Sequence, residues 1–345
     1  QLQASVGTNV VRADQESLAV LPGTQGTPEF ALDVGALGGM YANRIWLIGN
    51  EQGVGVRNAG KIGAQAGELV VTADGRLENT GSLHSAQNSL ITANAGVANA
   101  GTIGADLELR LDTPADVDNS GGTLNARRIE VNADALRNRA GSIEQVGMQG
   151  LQISAATVGN VQGQIGAVAS VPEEGAGNGG GNPGDGQGMP GTGTPSPGNG
   201  DGIGNGGTPT APIAPLASGL LNIAGTLDNS GGLIDASGQL QLSARNSLDN
   251  SGGKLGVQTL QVQGDVLRNV GGLLEVQGAA RAHVGQLDNT GGRMSLAGSF
   301  DLQAQSLLNH GGELAHGGTG ASIWTIGQLD NSDGSIASNA ASLDL

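Results

Sequence analysis

Apolar and polar residues alternate along this chain in short bursts. Leu107-Glu108-Leu109-Arg110-Leu111, Ile129-Glu130-Val131, Leu240-Gln241-Leu242 and Leu260-Gln261-Val262 all read in, out, in. That period of two predicts strands with one face in a core and the other in solvent. Glycine lies close to each burst, so the strands are short and the chain turns often.

The bursts recur with a fixed period, and the period organises the whole sequence. An asparagine that follows an apolar residue and one variable residue, and precedes glycine, stands at Asn58, Asn79, Asn99, Asn119, Asn138 and Asn160, and again at Asn229, Asn250, Asn269, Asn289, Asn309 and Asn331. The spacings run from 19 to 22 residues within each set. Two residues before each asparagine stands Val or Leu, from Val56 and Leu77 to Leu307 and Leu329. Glycine follows at +2 in the first three copies and at +3 in the other nine. An aliphatic residue such as Ile62, Leu255 or Ile336 then opens the next strand.

A unit of that size cannot bury its own apolar face, so copies must stack. The expected fold is all-β: a right-handed parallel β-helix, or β-solenoid, of about twenty-residue rungs. Twelve rungs at the ~4.8 Å strand spacing make roughly 58 Å. The twelve asparagines are expected to form a structural turn ladder. Asn tolerates the left-handed conformation, Gly carries no Cβ, and stacked amides can bond from coil to coil. The residue before each asparagine (Arg57, Glu78, Ala98, Asp118, Arg137, Gly159, Asp228, Asp249, Arg268, Asp288, Leu308, Asp330) forms a second column. Stacked carboxylates repel, so this column is expected to face solvent, with Arg268 offsetting Asp249 and Asp288.

Residues 172–216 break the period. Sixteen glycines and eight prolines take 24 of these 45 positions, with four carboxylates and no Lys or Arg, which predicts a disordered linker or loop. Four segments follow: an amino-terminal β segment over 1–56, β-helix repeats over 57–171, the Gly/Pro-rich interruption over 172–216, and repeats again over 217–345. The interruption is read either as a loop out of one continuous solenoid or as a joint between two rods.

Composition narrows the function. Lys and Arg number 15 against 31 Asp and Glu, a net charge of −16, which opposes binding to nucleic acid. Cysteine is absent, which removes disulfides, thiolate metal sites and cysteine nucleophiles. No apolar run approaches the ~18 residues of a membrane helix, so no membrane-spanning segment is expected. The opening QLQAS carries neither a start methionine nor a signal segment and reads as part of something longer.

The block FALDVGALGGMYANRIWLIGNEQGVGVRNAG at 30–60, followed by units such as LENTGSL and LDNSGG, resembles a known family. It is similar to the region just after the secretion domain in two-partner-secretion exoproteins of Gram-negative bacteria, the filamentous haemagglutinins and contact-dependent-inhibition proteins. The resemblance spans roughly 30–170 and 217–345. It implies a parallel β-helical filament, secreted and held at the cell surface, with an outer-membrane transporter as its export partner. On that basis the chain is expected to be a shaft that presents binding or toxin regions away from the cell. An alternative reading makes it an adhesion module for a host or bacterial cell-surface receptor or glycan, and a more distant one a polysaccharide-active enzyme. The asparagine-proline-asparagine motifs of the family's secretion domain and the VENN motif before its toxin region do not occur in the sequence.

No catalytic chemistry, cofactor or metal is expected. The acids are spread thinly, and His84, His283, His310 and His316 share no metal-ligand spacing and no Ser-Asp neighbourhood. The stretch at 179–188 lacks the GGxGxD regularity of calcium-binding repeats. Two aromatics, Trp46 and Trp324, are the candidate ligand-facing rings for a sugar.

Overall fold

The computed structural model describes residues 1–6, 9–11, 18–20, 28–146, 150–168, 218–236 and 239–344. The chain is all-β, a parallel β-solenoid, and among the described residues there is no helix. Each early rung supplies three strands: a leading strand such as Leu69–Ala73, a pre-turn strand such as Leu77–Asn79 and a post-turn strand such as Ser82–Ser85. In several later rungs the first two fuse, as in Arg128–Arg137, Thr259–Arg268 and Phe300–Leu308. Strands pair in parallel with the equivalent strand one rung away. Among the described residues the antiparallel exception is Asn9–Val11 with Leu18–Val20.

Register turns the sequence alternation into columns. Leu77 stands between Val56 and Val97, Leu83 between Ile62 and Ile103, and Ile91 between Val71 and Leu111. All nine are at most 1% exposed. A fully buried Leu, Ile or Val contributes roughly 1.5–3 kcal/mol of transfer free energy, and no rung keeps that burial without its neighbours. The core is therefore a continuous aliphatic stack. It holds only two buried large aromatics, Phe300 and Trp324, packed edge to face with centroids 5.4 Å apart.

The block at 30–60 is already built as rungs. Phe30–Val34 pairs with Gly55–Asn58, Gly39–Ala42 with Lys61–Ala64, and Ile45–Gly49 with Leu69–Ala73, while Leu2–Val6 lies on the far side of Ile45–Gly49. Arg57 stacks over the Phe30 ring at 4.9 Å and pairs with Asp33.

The expected disordered interruption at 172–216 lies outside the described residues, and so does the glycine-aspartate stretch at 179–188. The strands on either side of it are direct neighbours. Leu151–Gly159 pairs with Ser218–Ile223 and with Thr226–Asp228, and Gln164–Val168 pairs with Leu233–Ala236.

Candidate functional site

The turn corner carries the most regular chemistry of the molecule. Each of eleven asparagines donates from Nδ2 to Oδ1 of the asparagine one rung on, at 2.6–2.8 Å, from Asn58 to Asn79 through Asn309 to Asn331. In ten of the eleven the same Nδ2 also donates to two backbone carbonyls, and in Asn99 to one, Thr123 O at 3.1 Å. For Asn229 the two are Gly232 O of its own turn, at 3.3 Å, and Lys254 O of the next rung, at 3.1 Å. Two carbonyls facing one end of the side chain require an NH2 group there, which fixes the amide orientation and excludes a carboxylate. Asn58 to Asn309 are at most 2% exposed, so these are buried polar groups with their partners supplied.

The turn itself works differently from the expectation that asparagine takes the left-handed conformation. The positive φ falls two residues later, as at Gly231, Gly252, Gly271, Gly291 and Gly311, with φ from +60° to +63°. Ala140, Gln162 and Asp333 adopt it without being glycine. The glycine at +3 answers to space instead: a Cβ on Gly292 would stand 1.9 Å from the carbonyl oxygen of Asn269, one rung back. Asparagine holds the rungs together, and this glycine lets the backbones approach.

The column before the asparagines is nowhere buried, running from half-buried to exposed. Its carboxylates do a local job the sequence reading did not assign. Asp228, Asp249, Asp288 and Asp330 each accept from the backbone N–H and the hydroxyl of the Ser or Thr two residues on, and Asp118 accepts from the N–H of Ser120. These are Asx turns. The recurring Asp-Asn-Ser/Thr order was the available signal. Arg268 reaches Asp249 at 3.1 Å. The Ser332 hydroxyl and N–H hold the Asp330 carboxyl below the usual carboxylate range.

The candidate aromatics part ways. Trp324 is 1% exposed and donates from Nε1 to Phe300 O at 3.2 Å. Its place beyond Leu302 in an inward column leaves no ring face for a sugar, which corrects the expectation of a ligand-facing ring there. Trp46 lies half-buried on the outward face between Gln3 and Val70, with Nε1 donating to Glu68 at 3.2 Å.

The histidines are scattered. His84 meets Asp106 and His283 meets Asp301, both at 3.3 Å and at the surface, and His310 is exposed. His316 is 2% exposed. Its Nε2 faces the Gly298 carbonyl at 2.9 Å, so that nitrogen carries a proton, and its Nδ1 faces the Ser338 hydroxyl at 2.9 Å. Among the described residues no three His, Asp or Glu side chains converge on a metal-sized site.

A residue missed in the sequence is Tyr41, which is 59% exposed. It stands on the outward face of the post-turn strands beside Lys61, Gln65, His84 and Asp106, around a depression of about 510 Å³.

Known proteins share this sequence pattern. The Haemagglutinin repeat family model matches residues 4–113, 97–171 and 199–333. Toxin CdiA of Yersinia pestis is 44% identical over 104 residues, which is 30% of this chain and 3% of that protein. Toxin CdiA of Escherichia coli is 31% identical over 180 residues, 49% of this chain and 5% of that protein. A tRNA nuclease CdiA of Escherichia coli (strain NC101) is 38% identical over 125 residues, 36% of this chain and 4% of that protein. The chain thus spans only a few per cent of the length of these relatives. No solved structure matches it. With its asparagine rungs in register and the family's repeats covering most of its length, the chain belongs to the haemagglutinin-repeat family, within the filamentous-haemagglutinin and contact-dependent-inhibition type of exoprotein.

Proposed function

We propose that this segment is a stiff, non-catalytic shaft of a secreted, surface-displayed exoprotein of a Gram-negative bacterium, and that it holds binding or toxin regions away from the cell. The observation that carries this reading is the unbroken ladder from Asn58 to Asn331. Bending the stack would stretch buried amide bonds on one side and open the aliphatic column on the other, and both cost free energy. The relatives are named as toxins and nucleases. A shaft supplies reach to activities of that kind without performing them. Export would run through an outer-membrane transporter partner, a route compatible with a chain that has no cysteine to form disulfides.

The reading is tested in an exported parent protein by deleting residues 251–289. This removes two whole rungs and joins Asn250 to Thr290, so the turn sequence Asn-Thr-Gly-Gly is restored. A shaft predicts normal surface display and retained cell-contact activity with shorter reach. Complete loss of activity while display stays normal would overturn it, because the deleted rungs would then be recognising something themselves.

A further inference from the structure

Five aromatic residues occur in the chain, and four have a ring, cation or hydrogen-bond partner. Phe300 and Trp324 pack on each other, Phe30 lies under Arg57, and Trp46 bonds Glu68. Tyr41 does not share that explanation. Its ring sits close against two glycines: a Cβ on Gly39 would stand 2.9 Å from Tyr41 Cε2, and one on Gly63 would stand 3.3 Å from Tyr41 Cδ1. The absent side chains of Gly39 and Gly63 leave the room the ring occupies. The ring keeps an open face to solvent to the extent that the residue is 59% exposed.

The surroundings of that open face are polar and ordered by the rung register. Tyr41, Gly63 and His84 are consecutive members of one outward column, and Lys61 and Ser82 are consecutive members of the column two residues before it. With glycine in the middle, the ring and the imidazole border a shallow depression of about 510 Å³, which Gln65 and Asp106 also line. His84 is oriented by Asp106, which its Nε2 approaches at 3.3 Å, so Nδ1 is the nitrogen left for a ligand. Lys61 and Gln65 are exposed beside it.

A flat apolar ring face bordered by an ammonium, an amide and an oriented imidazole is complementary to a ring that has one face of C–H groups and a rim of hydroxyls. The geometry points to a hexopyranose site: the sugar stacks on the outer face of Tyr41, and its hydroxyls meet His84 Nδ1, Gln65 and Lys61. A carboxylate on the sugar would add an ion pair with Lys61. The site sits on the shaft near its first rungs, outside the segment 251–289 whose deletion tests the shaft reading, so either idea can fail alone.

The single tyrosine supplies the probe. The full chain, labelled with 13C in the tyrosine ring, gives one set of tyrosine ring signals to follow by NMR. It is titrated with the methyl glycosides of glucose, galactose, mannose and N-acetylglucosamine, and with glucuronate, to about tens of millimolar, where weak single-sugar sites are read. A saturable shift with at least one of these sugars, and none with glycerol at the same concentration, is expected. His84→Ala and Lys61→Ala should each weaken the sugar's apparent affinity roughly five- to tenfold, the loss of one hydrogen bond, while Tyr41→Phe retains binding by sugar-detected saturation transfer. These substitutions are at exposed positions, and an unchanged far-ultraviolet spectrum confirms the fold. The proposal is overturned if no sugar shifts the signal beyond glycerol, or if the shift survives unchanged in both His84→Ala and Lys61→Ala. A gain for glucuronate over glucose that disappears in Lys61→Ala would place the carboxylate at that ammonium; equal binding would assign Lys61 to a hydroxyl.

Discussion

Asn160 and Asn229 are 69 residues apart in sequence, yet Asn160 Nδ2 donates to Asn229 Oδ1 at 2.7 Å. The same Nδ2 reaches Leu233 O at 3.1 Å, and Asn160 N–H donates to Asp228 O at 2.6 Å. These contacts match those made where successive asparagines are 19 to 22 residues apart. The rung does not register how much chain lies between its parts, because the ladder needs only one asparagine above and one below.

A first prediction follows from the bonding of Asn229. Alanine there leaves Asn250 Nδ2 untouched but removes the acceptor of Asn160 and the donor to Gly232 O, Lys254 O and Asn250 Oδ1. Unsatisfied buried groups of this kind cost about 1–3 kcal/mol. Aspartate should cost more, since it sets a buried carboxylate against two carbonyls and an amide oxygen. Amide hydrogen exchange is the suitable readout, because a stacked array need not unfold in one step. Protection should fall most in the rungs around Asn229 and less far from it, in the order wild type, Asn229→Ala, Asn229→Asp. Equal protection in the two variants would contradict the carbonyl geometry.

The glycines of one turn should respond unequally. Gly291 has φ +61° with nothing near a built Cβ, whereas a Cβ on Gly292 would collide with Asn269 O at 1.9 Å. Gly291→Ala should cost about 1–2 kcal/mol of left-handed strain, and Gly291→Asn less, because Asn visits that region more readily. Gly292→Ala must push two rungs apart and should cost more than either. Urea midpoints of the three variants, compared at one temperature, check the order.

Much of this was legible in the sequence because stacking makes the repeat and the contact the same thing. The interval from Leu77 to Val97 in sequence is one rung in space, so period and alternation together fixed which residues line the core. The fold class and the asparagine corner follow from that alone. What did not follow were effects set by close approach between rungs. Nothing in the order Asn-Ser-Gly-Gly says that one glycine serves φ and the next serves space, since both readings want glycine. Trp324 was ambiguous for a related reason: ASIWTIG alternates, but its phase is set by the pairing of Leu302 with Trp324. Tyr41 escaped notice because its exposure depends on Gly63, which is 22 residues away.

Acid should weaken the leading-strand face through Asp112. Burial pushes this carboxyl up, but hydrogen bonds from Arg110 and Asn132 and the charge of Arg110 outweigh it, and the net direction is down. A native carboxyl held below its unfolded value of about 3.9 contributes stability above that pH and loses it as pH falls through the native value. Asp112→Asn should therefore be less stable than wild type at neutral pH, with the gap closing as the pH drops below about 4. Paired denaturation curves across that range test the sign. A gap that widens in acid would mean that the carboxyl is held up instead.

The two tryptophans give the most direct test of the core. Trp324 is sealed between Phe300 and His316, with centroids 5.4 and 6.0 Å away, and is 1% exposed, whereas Trp46 is half-buried on the outward face. Their fluorescence should divide into a blue-shifted component resistant to acrylamide and a redder, quenchable one. Trp324→Phe should remove only the first, and Trp46→Phe only the second. Trp324→Ala empties a core site and should cost about 3–5 kcal/mol. Because Trp324 bonds Phe300 O across the rung boundary, that loss should appear as lowered amide protection over both Phe300–Leu308 and Ala321–Asp330. Loss confined to the strand that carries the substitution would show that the rungs near this end are not coupled through the aromatic pair.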